Sequence, residues 1–277
     1  MYQIVIARKL QGRGIFVTED RNEPNMALTP TAEGTIEERP VILGRKLAAK
    51  ERRTILETRN AMKDKFDNTV CHITPTGKGE SGIEGLCMKC PVCFTHGGLR
   101  SGKGGNYGRP GIVLYDDAFS LGDSEIETLT INAVSTKTQR TGTALASETF
   151  VYGGSFINVV TIKHDSPEVL NLVVDSILST NSYGARSRHY GRITNEIVAI
   201  LKSPRPMVTS YGLISKVKKL EDLKLLCEKI AKESNAELIP TPKLKDPAEI
   251  MMDAHKIKDV QEWYKEVESY LSESKKK

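Results

Sequence analysis

An α+β fold is predicted: an antiparallel sheet carrying helices, a cysteine-bearing insertion and a helical C-terminal stretch. Three observations predict it. Apolar segments follow one another with the periods of strand, helix, strand, strand, helix, strand. The polar, glycine-rich stretch after the first helix holds four of the five cysteines. Beyond residue 205 the pattern is helical, divided by Pro240-Thr241-Pro242.

In chain order, Met1–Leu10 is a strand with Tyr2, Ile4, Val5 and Ile6 as its apolar positions. Gln11-Gly12-Arg13-Gly14 turns, and Ile15-Phe16-Val17 continues as a short extended piece. Thr18 to Pro40 is polar and contains Pro24, Pro30 and Pro40, which predicts a long loop. Arg45–Met62 lacks proline and glycine and repeats Leu47, Ala48, Ile55 and Leu56 at helical spacing. Gly111–Leu114 and Glu125–Val134 are strands, and the polar stretch 135–143 before Phe150-Val151-Tyr152 makes a long hairpin with a basic tip. Ser155–Lys163 is a strand. Ser166-Pro167-Glu168 supplies an N-cap, a proline at the first helical position and an acid in the first turn of an amphipathic helix. Ile193–Leu201 is the last core strand. Leu220–Glu233 and Pro247–Ser272 are helices, an outer addition or a partner contact, with Cys227 in the apolar stripe of the first. This order is the ferredoxin-like or RNA-recognition-type layout. The core is then residues 1–62 and 109–205, the insertion 63–108 and the helical region 206–277.

Within the insertion, Cys87, Cys90 and Cys93 recur every three residues. Thiols this close favour one shared ion over disulfides, so the cluster predicts a structural zinc site. Cys71-His72 supplies the fourth ligand. Cys71 completes a closed four-thiolate set, with His72 second and His96 third. Gly97 to Lys103 approaches a phosphate-binding loop, but Gly104 stands where that motif needs a hydroxyl, so nucleotide hydrolysis is rejected. A flexible basic loop remains. The N-terminus lacks the pattern of a signal peptide, no apolar run is long enough to span a membrane, and clustered thiols predict the reducing cytoplasm.

The net charge is only +5, but its distribution is uneven. All 15 arginines lie at or before Arg205. Residues 39–65 hold nine basic side chains against three acids, and Arg45, Arg52 and Arg59, seven apart, share one helix face. A row of guanidinium groups on one face suits a phosphate track. The loop 181–192 places Tyr183 and Tyr190 among Arg186, Arg188 and His189, stacking surfaces beside phosphate donors as in single-strand binding sites.

Several segments resemble one family in one order. Val41-Ile42-Leu43-Gly44-Arg45-Lys46-Leu47-Ala48-Ala49-Lys50 with Arg53 resembles the segment that opens the first helix of repeat-associated (RAMP) CRISPR proteins. So do Cys90-Pro91-Val92-Cys93-Phe94-Thr95-His96-Gly97, Val113-Leu114-Tyr115-Asp116-Asp117-Ala118-Phe119, the hairpin up to Tyr152-Gly153-Gly154-Ser155-Phe156, and Gly184-Ala185-Arg186. The nearest family is the backbone subunit of type I-D interference complexes. That resemblance implies a non-catalytic subunit that coats the spacer of a guide RNA as a filament of its own copies. Its other partners would be further subunits of the complex and a target paired to the guide, with no membrane. Arg45, Lys46, Lys50, Arg52 and Arg53 would hold guide phosphates, with Arg100 and Lys103 on the loop above them. Lys137 and Arg140 would lie on a thumb at about 132–154, and Tyr183, Arg186, Arg188 and His189 on the second basic loop. Where the family has a glycine–serine pair, this chain has Gly44-Arg45. Two alternatives carry their own marks: a metal-dependent ruler-type endoribonuclease using Asp20 or Glu23, and a zinc-stabilised protein-interaction module.

Overall fold

The computed structural model describes residues 1–18, 23–75, 83–84, 86–100 and 107–274. Its strands of three residues or more are β1 (Tyr2–Gln11), β2 (Met26–Pro30), β3 (Ile36–Ile42), β4 (Gly97–Arg100), β5 (Tyr107–Pro110), β6 (Val113–Tyr115), β7 (Ala118–Ser120), β8 (Glu125–Val134), β9 (Thr141–Tyr152), β10 (Ser155–Ile162), β11 (Arg192–Lys202) and β12 (Glu237–Ile239). Its helices are α1 (Gly44–Ala61), α2 (Pro91–His96), α3 (Pro167–Ser179), α4 (Ser210–Ile214), α5 (Leu220–Glu233), α6 (Pro247–His255) and α7 (Lys258–Ser274).

The main sheet runs β12-β11-β1-β10-β7-β3-β2, with β6 also pairing β10. Every pairing is antiparallel. Strand β1 lies between β10 and β11 and is apolar on both faces, which explains its unbroken hydrophobic run. Ile4 and Ile6 join one core with Val160, Ile162, Ile200 and the helices α3, α6 and α7. Val5, between them in sequence, points the other way, into a second core with Val159, Leu201 and the apolar sides of α4 and α5. The sheet is therefore covered on both faces. Ser166 caps α3 as its sequence predicts, its hydroxyl accepting from the N–H groups of Glu168 and Val169.

Three expectations change. The stretch from Thr18 to Pro40 is not all loop: β2 and β3 form a hairpin in register from Met26 opposite Pro40 to Pro30 opposite Ile36. Proline is tolerated because Pro30 ends the outermost strand and Pro40 lies beyond the two-residue overlap of β3 with β7. The long hairpin starts at Glu125, ahead of the expected 132, because β8 pairs with β9 from Glu125 opposite Tyr152. The last helix is two, α6 and α7. Their break at Lys256-Ile257 lets Ile250, Met251 and Ala254 share one core with Val260, Trp263 and Val267.

Nor is the C-terminal region an outer addition. Its last helix is tied to the insertion by ion pairs Lys89–Glu268 (2.6 Å) and Arg109–Glu266 (3.2 Å), with Trp263 buried against Phe94. Among the described residues, no helix is long and apolar enough to cross a membrane.

Candidate nucleic-acid interface

Helix α1 distributes its basic residues by angle. Lys46, Lys50 and Arg53 stand at i, i+4 and i+7, share one face and line a cleft of about 410 Å³. Gly184 and Ala185 line the same cleft, together with the apolar Phe16, Ile42 and Leu43. The expected row of Arg45, Arg52 and Arg59 does not serve one track. Seven residues is slightly short of two turns, so the row drifts round the cylinder and into the protein. Arg45 is exposed. Arg52 turns to the cysteine cluster, with a terminal nitrogen 4.0 Å from Cys93 Sγ. Arg59 is buried, donates to the Thr69 carbonyl at 2.6 Å and stacks on Phe66.

The N-terminus of α1 is already occupied by a carboxylate. The Gly44 N–H donates to Asp117 Oδ1 at 2.7 Å, and a Cβ at this position would meet the Tyr115 carbonyl at 2.4 Å. Asp116, next in sequence, accepts from the Ser210 N–H at the start of α4 (2.8 Å). The acidic pair Asp116-Asp117 thus ties two helix starts to the sheet.

Gly184 and Ala185 belong to a loop pinned to the strand-like piece after β1. Gly184 has φ +87°, and a side chain there would meet the Ile15 carbonyl at 2.4 Å. The Ala185 N–H donates to that same carbonyl at 2.9 Å, and the Gly191 N–H donates to the Arg13 carbonyl at 2.8 Å. Tyr183 is a correction: only 1% exposed, it presents no stacking surface. Its hydroxyl donates to Glu51 (2.9 Å) and accepts from Arg8 (2.9 Å) and Asn195 (3.0 Å). Arg8 and Glu51, both fully buried, form an ion pair at 2.8 Å, and Asn158 accepts from the same guanidinium. Burial first, then the Glu51 charge, pushes the Tyr183 phenol well up. A cation inside a strand core demands these partners. The sequence does signal the pair, as one arginine in an apolar strand and one glutamate on the apolar side of α1.

Arg188 and His189 are exposed on this loop, and Arg186 is ion-paired with Glu148 of β9. Arg13, missed as a functional candidate, lies 4.5 Å from the Phe150 ring and 4.7 Å from the Tyr190 ring. It joins the base of the β8–β9 hairpin to the loop. Lys137 and Arg140 are exposed at the hairpin tip. Lys103 and Asp20 lie outside the described residues, as does the side chain of Arg100, while Glu23 is exposed before β2.

At the far end of α1 the four thiols meet. The Sγ atoms of Cys71, Cys87, Cys90 and Cys93 lie within 4.8 Å of one another, with Cys71 and Cys93 at 3.5 Å. Sulfurs about 2.3 Å from one ion stand roughly 3.8 Å apart in a tetrahedron, so the donor set fits a four-thiolate centre. Asn60 of α1 holds Cys71 by both backbone groups, at 2.7 and 2.8 Å. The N–H groups of Cys87 and Lys89 donate to Cys71 Sγ and Cys87 Sγ at 3.5 and 3.4 Å. The two histidine alternatives are elsewhere. His72 is exposed. His96 faces Thr95 Oγ1 (2.9 Å) and Tyr115 (3.4 Å), its imidazole held down at about 3 by burial and then by Arg52.

The family profile described as Csc2 Crispr matches residues 1–277. The chain belongs to the Csc2 CRISPR family. Its fold is similar to that in a crystal structure of Thermofilum pendens Csc2, at TM-score 0.66 and 21% identity over 97% of this chain and 89% of that one. It is also similar to a chain of a CRISPR RNA-guided surveillance complex, pre-nicking, at TM-score 0.56 and 10% identity over 92% of this chain and 99% of that one. Among curated proteins none matches.

Proposed function

We propose that this chain is the guide-RNA-binding backbone subunit of a type I-D CRISPR interference complex, lying along the spacer as a filament of its own copies. The observation that carries the reading is the cleft, which Lys46, Lys50 and Arg53 line together with Gly184 and Ala185. Its cations suit phosphates, its glycine allows close approach, and its apolar residues take a sugar or base edge. None of these groups presents the matched donor and acceptor set that reads a base, so binding is expected to be indifferent to sequence. Arg45, Arg186, Arg188 and His189, with Lys137 and Arg140 of the thumb, extend the cationic path. Tyr183 and Arg52 are left out because their side chains face inward or the knot.

The sheet order supports a ferredoxin-like core whose open face is closed by α4 and α5, which directs RNA to the rim of the sheet. We infer that the cysteine cluster holds zinc, a closed four-thiolate site being structural, in the reducing cytoplasm where thiols stay free.

The test is a titration of labelled single-stranded RNA at several salt concentrations. Wild-type affinity is expected to fall steeply with salt and to be equal for unrelated sequences. Replacing Lys50 and Arg53 by alanine is expected to flatten the logarithmic salt slope by about 1.4, two contacts at about 0.7 each. An unchanged slope would remove the cleft from the interface.

A further inference from the structure

Helix α1 turns Arg52 toward the cysteine knot, although Arg53 beside it lines the cleft. A terminal nitrogen of Arg52 reaches 4.0 Å from Cys93 Sγ, and its buried Nε has no hydrogen-bond partner. Cys71, Cys90 and Cys93 are buried. Four thiolates around one divalent ion leave two net negative charges, and a buried charge without compensation is strongly unfavourable. The backbone N–H groups of Cys87 and Lys89 point at sulfurs, but they supply dipoles and no charge. The neighbouring cation Lys89 is turned away to Glu268 at 2.6 Å. Among the described residues, Arg52 is a cation set against a sulfur of the cluster.

We propose that Arg52 is an outer-sphere partner of a metal centre at Cys71, Cys87, Cys90 and Cys93, set against Cys93 Sγ to offset the thiolate charge, and that it makes no contact with RNA. This rests on the zinc reading of the cluster. Outer partners of this kind orient a ligand and stabilise its ionised form, and their loss costs about 10–100-fold in metal affinity.

The probes are zinc itself, competed from the full chain by a chromogenic chelator, and cobalt(II) in its place, followed by its thiolate charge-transfer absorbance. Arg52→Gln is expected to release zinc about 10–100-fold more readily than wild type and to shift the cobalt spectrum. Arg52→Lys keeps the charge without the planar fork and is expected to fall between the two. Zinc-loaded Arg52→Gln is expected to bind single-stranded RNA as wild type does. Arg53→Gln is expected to behave in the opposite way, holding zinc and losing RNA. If Arg52→Gln retains zinc as wild type does, the proposal is overturned and the metal reading stands. A wild-type chain that takes up neither zinc nor cobalt overturns both. Zinc-loaded Arg52→Gln that loses RNA as Arg53→Gln does puts Arg52 in the cleft and overturns the proposal. Should Arg52→Gln not fold, Arg52→Lys decides: weakened zinc retention with intact RNA binding supports the role, and unchanged retention ends it.

Discussion

Along helix α1 two sets of basic side chains look alike in sequence and meet opposite fates. Lys46, Lys50 and Arg53 line the cleft. Arg52 and Arg59, about 100° away round the cylinder, face the cysteine knot and the Thr69 segment. This second set is engaged inside the fold, Arg59 by a carbonyl and a ring face and Arg52 by a sulfur contact. Cationic composition therefore says little about RNA contact until the angle of each residue is known. The same division runs through the second basic loop, where Arg188 and His189 are exposed but Tyr183 is locked to Glu51 and Arg8.

The largest expected effect concerns the inward set. Stripping the cysteine cluster with a strong chelator should release the segment Cys87–Arg100, and with it α7, because both pack on the knot. Hydrogen exchange is expected to rise in those segments and in the last turn of α1, where Asn60 holds Cys71. Protection unchanged after chelation would detach the knot from the core.

Next comes the buried pair. Glu51→Gln leaves the Arg8 charge without its partner and should cost about 3–5 kcal/mol in denaturant unfolding. Tyr183→Phe removes one hydroxyl from the same network and should cost about 1–3 kcal/mol. By contrast, Lys50→Ala with Arg53→Ala should change stability by no more than about 0.5 kcal/mol each while weakening RNA binding. Loss of stability in the outward pair, or of RNA affinity alone in the inward pair, would dissolve the distinction between the two sets.

The smallest effect on RNA binding is expected at Arg13. Arg13→Ala removes two ring contacts at the hairpin base and should cost about 1 kcal/mol. Because Arg13 positions the loop and hairpin without facing the cleft, RNA affinity should fall modestly with the salt slope unchanged. A slope reduced by about 0.7 would make Arg13 a phosphate contact instead.

Much of the fold was legible from the residues. The double-faced burial of β1 followed from its unbroken apolar run, the start of α3 from Ser166-Pro167-Glu168, and the long hairpin from its apolar arms and polar tip. Legibility failed where tertiary packing outweighed local signals. The prolines of 24–40 mark the ends of an edge hairpin, and the break between α6 and α7 carries no glycine or proline. It exists because two apolar stripes must reach one core. In the candidate site, the thiol spacing announced a shared cluster, yet only the fold separates Cys71 from His72. Lys46, Lys50 and Arg53 were read with their neighbours as one basic segment, and the neighbours proved to be different in kind.

By itself the sequence determined most of the strands and helices of the core, that four thiols are close enough to gather, and that cations concentrate in two stretches. Those are properties of period, spacing and charge, local along the chain. Only the tertiary structure decided which cations stay in water, because that depends on what packs against each side of α1. It also decided that Gly184 and Lys50, 134 positions apart, line one cleft, brought together by the Ile15 carbonyl and the buried Arg8–Glu51–Tyr183 network.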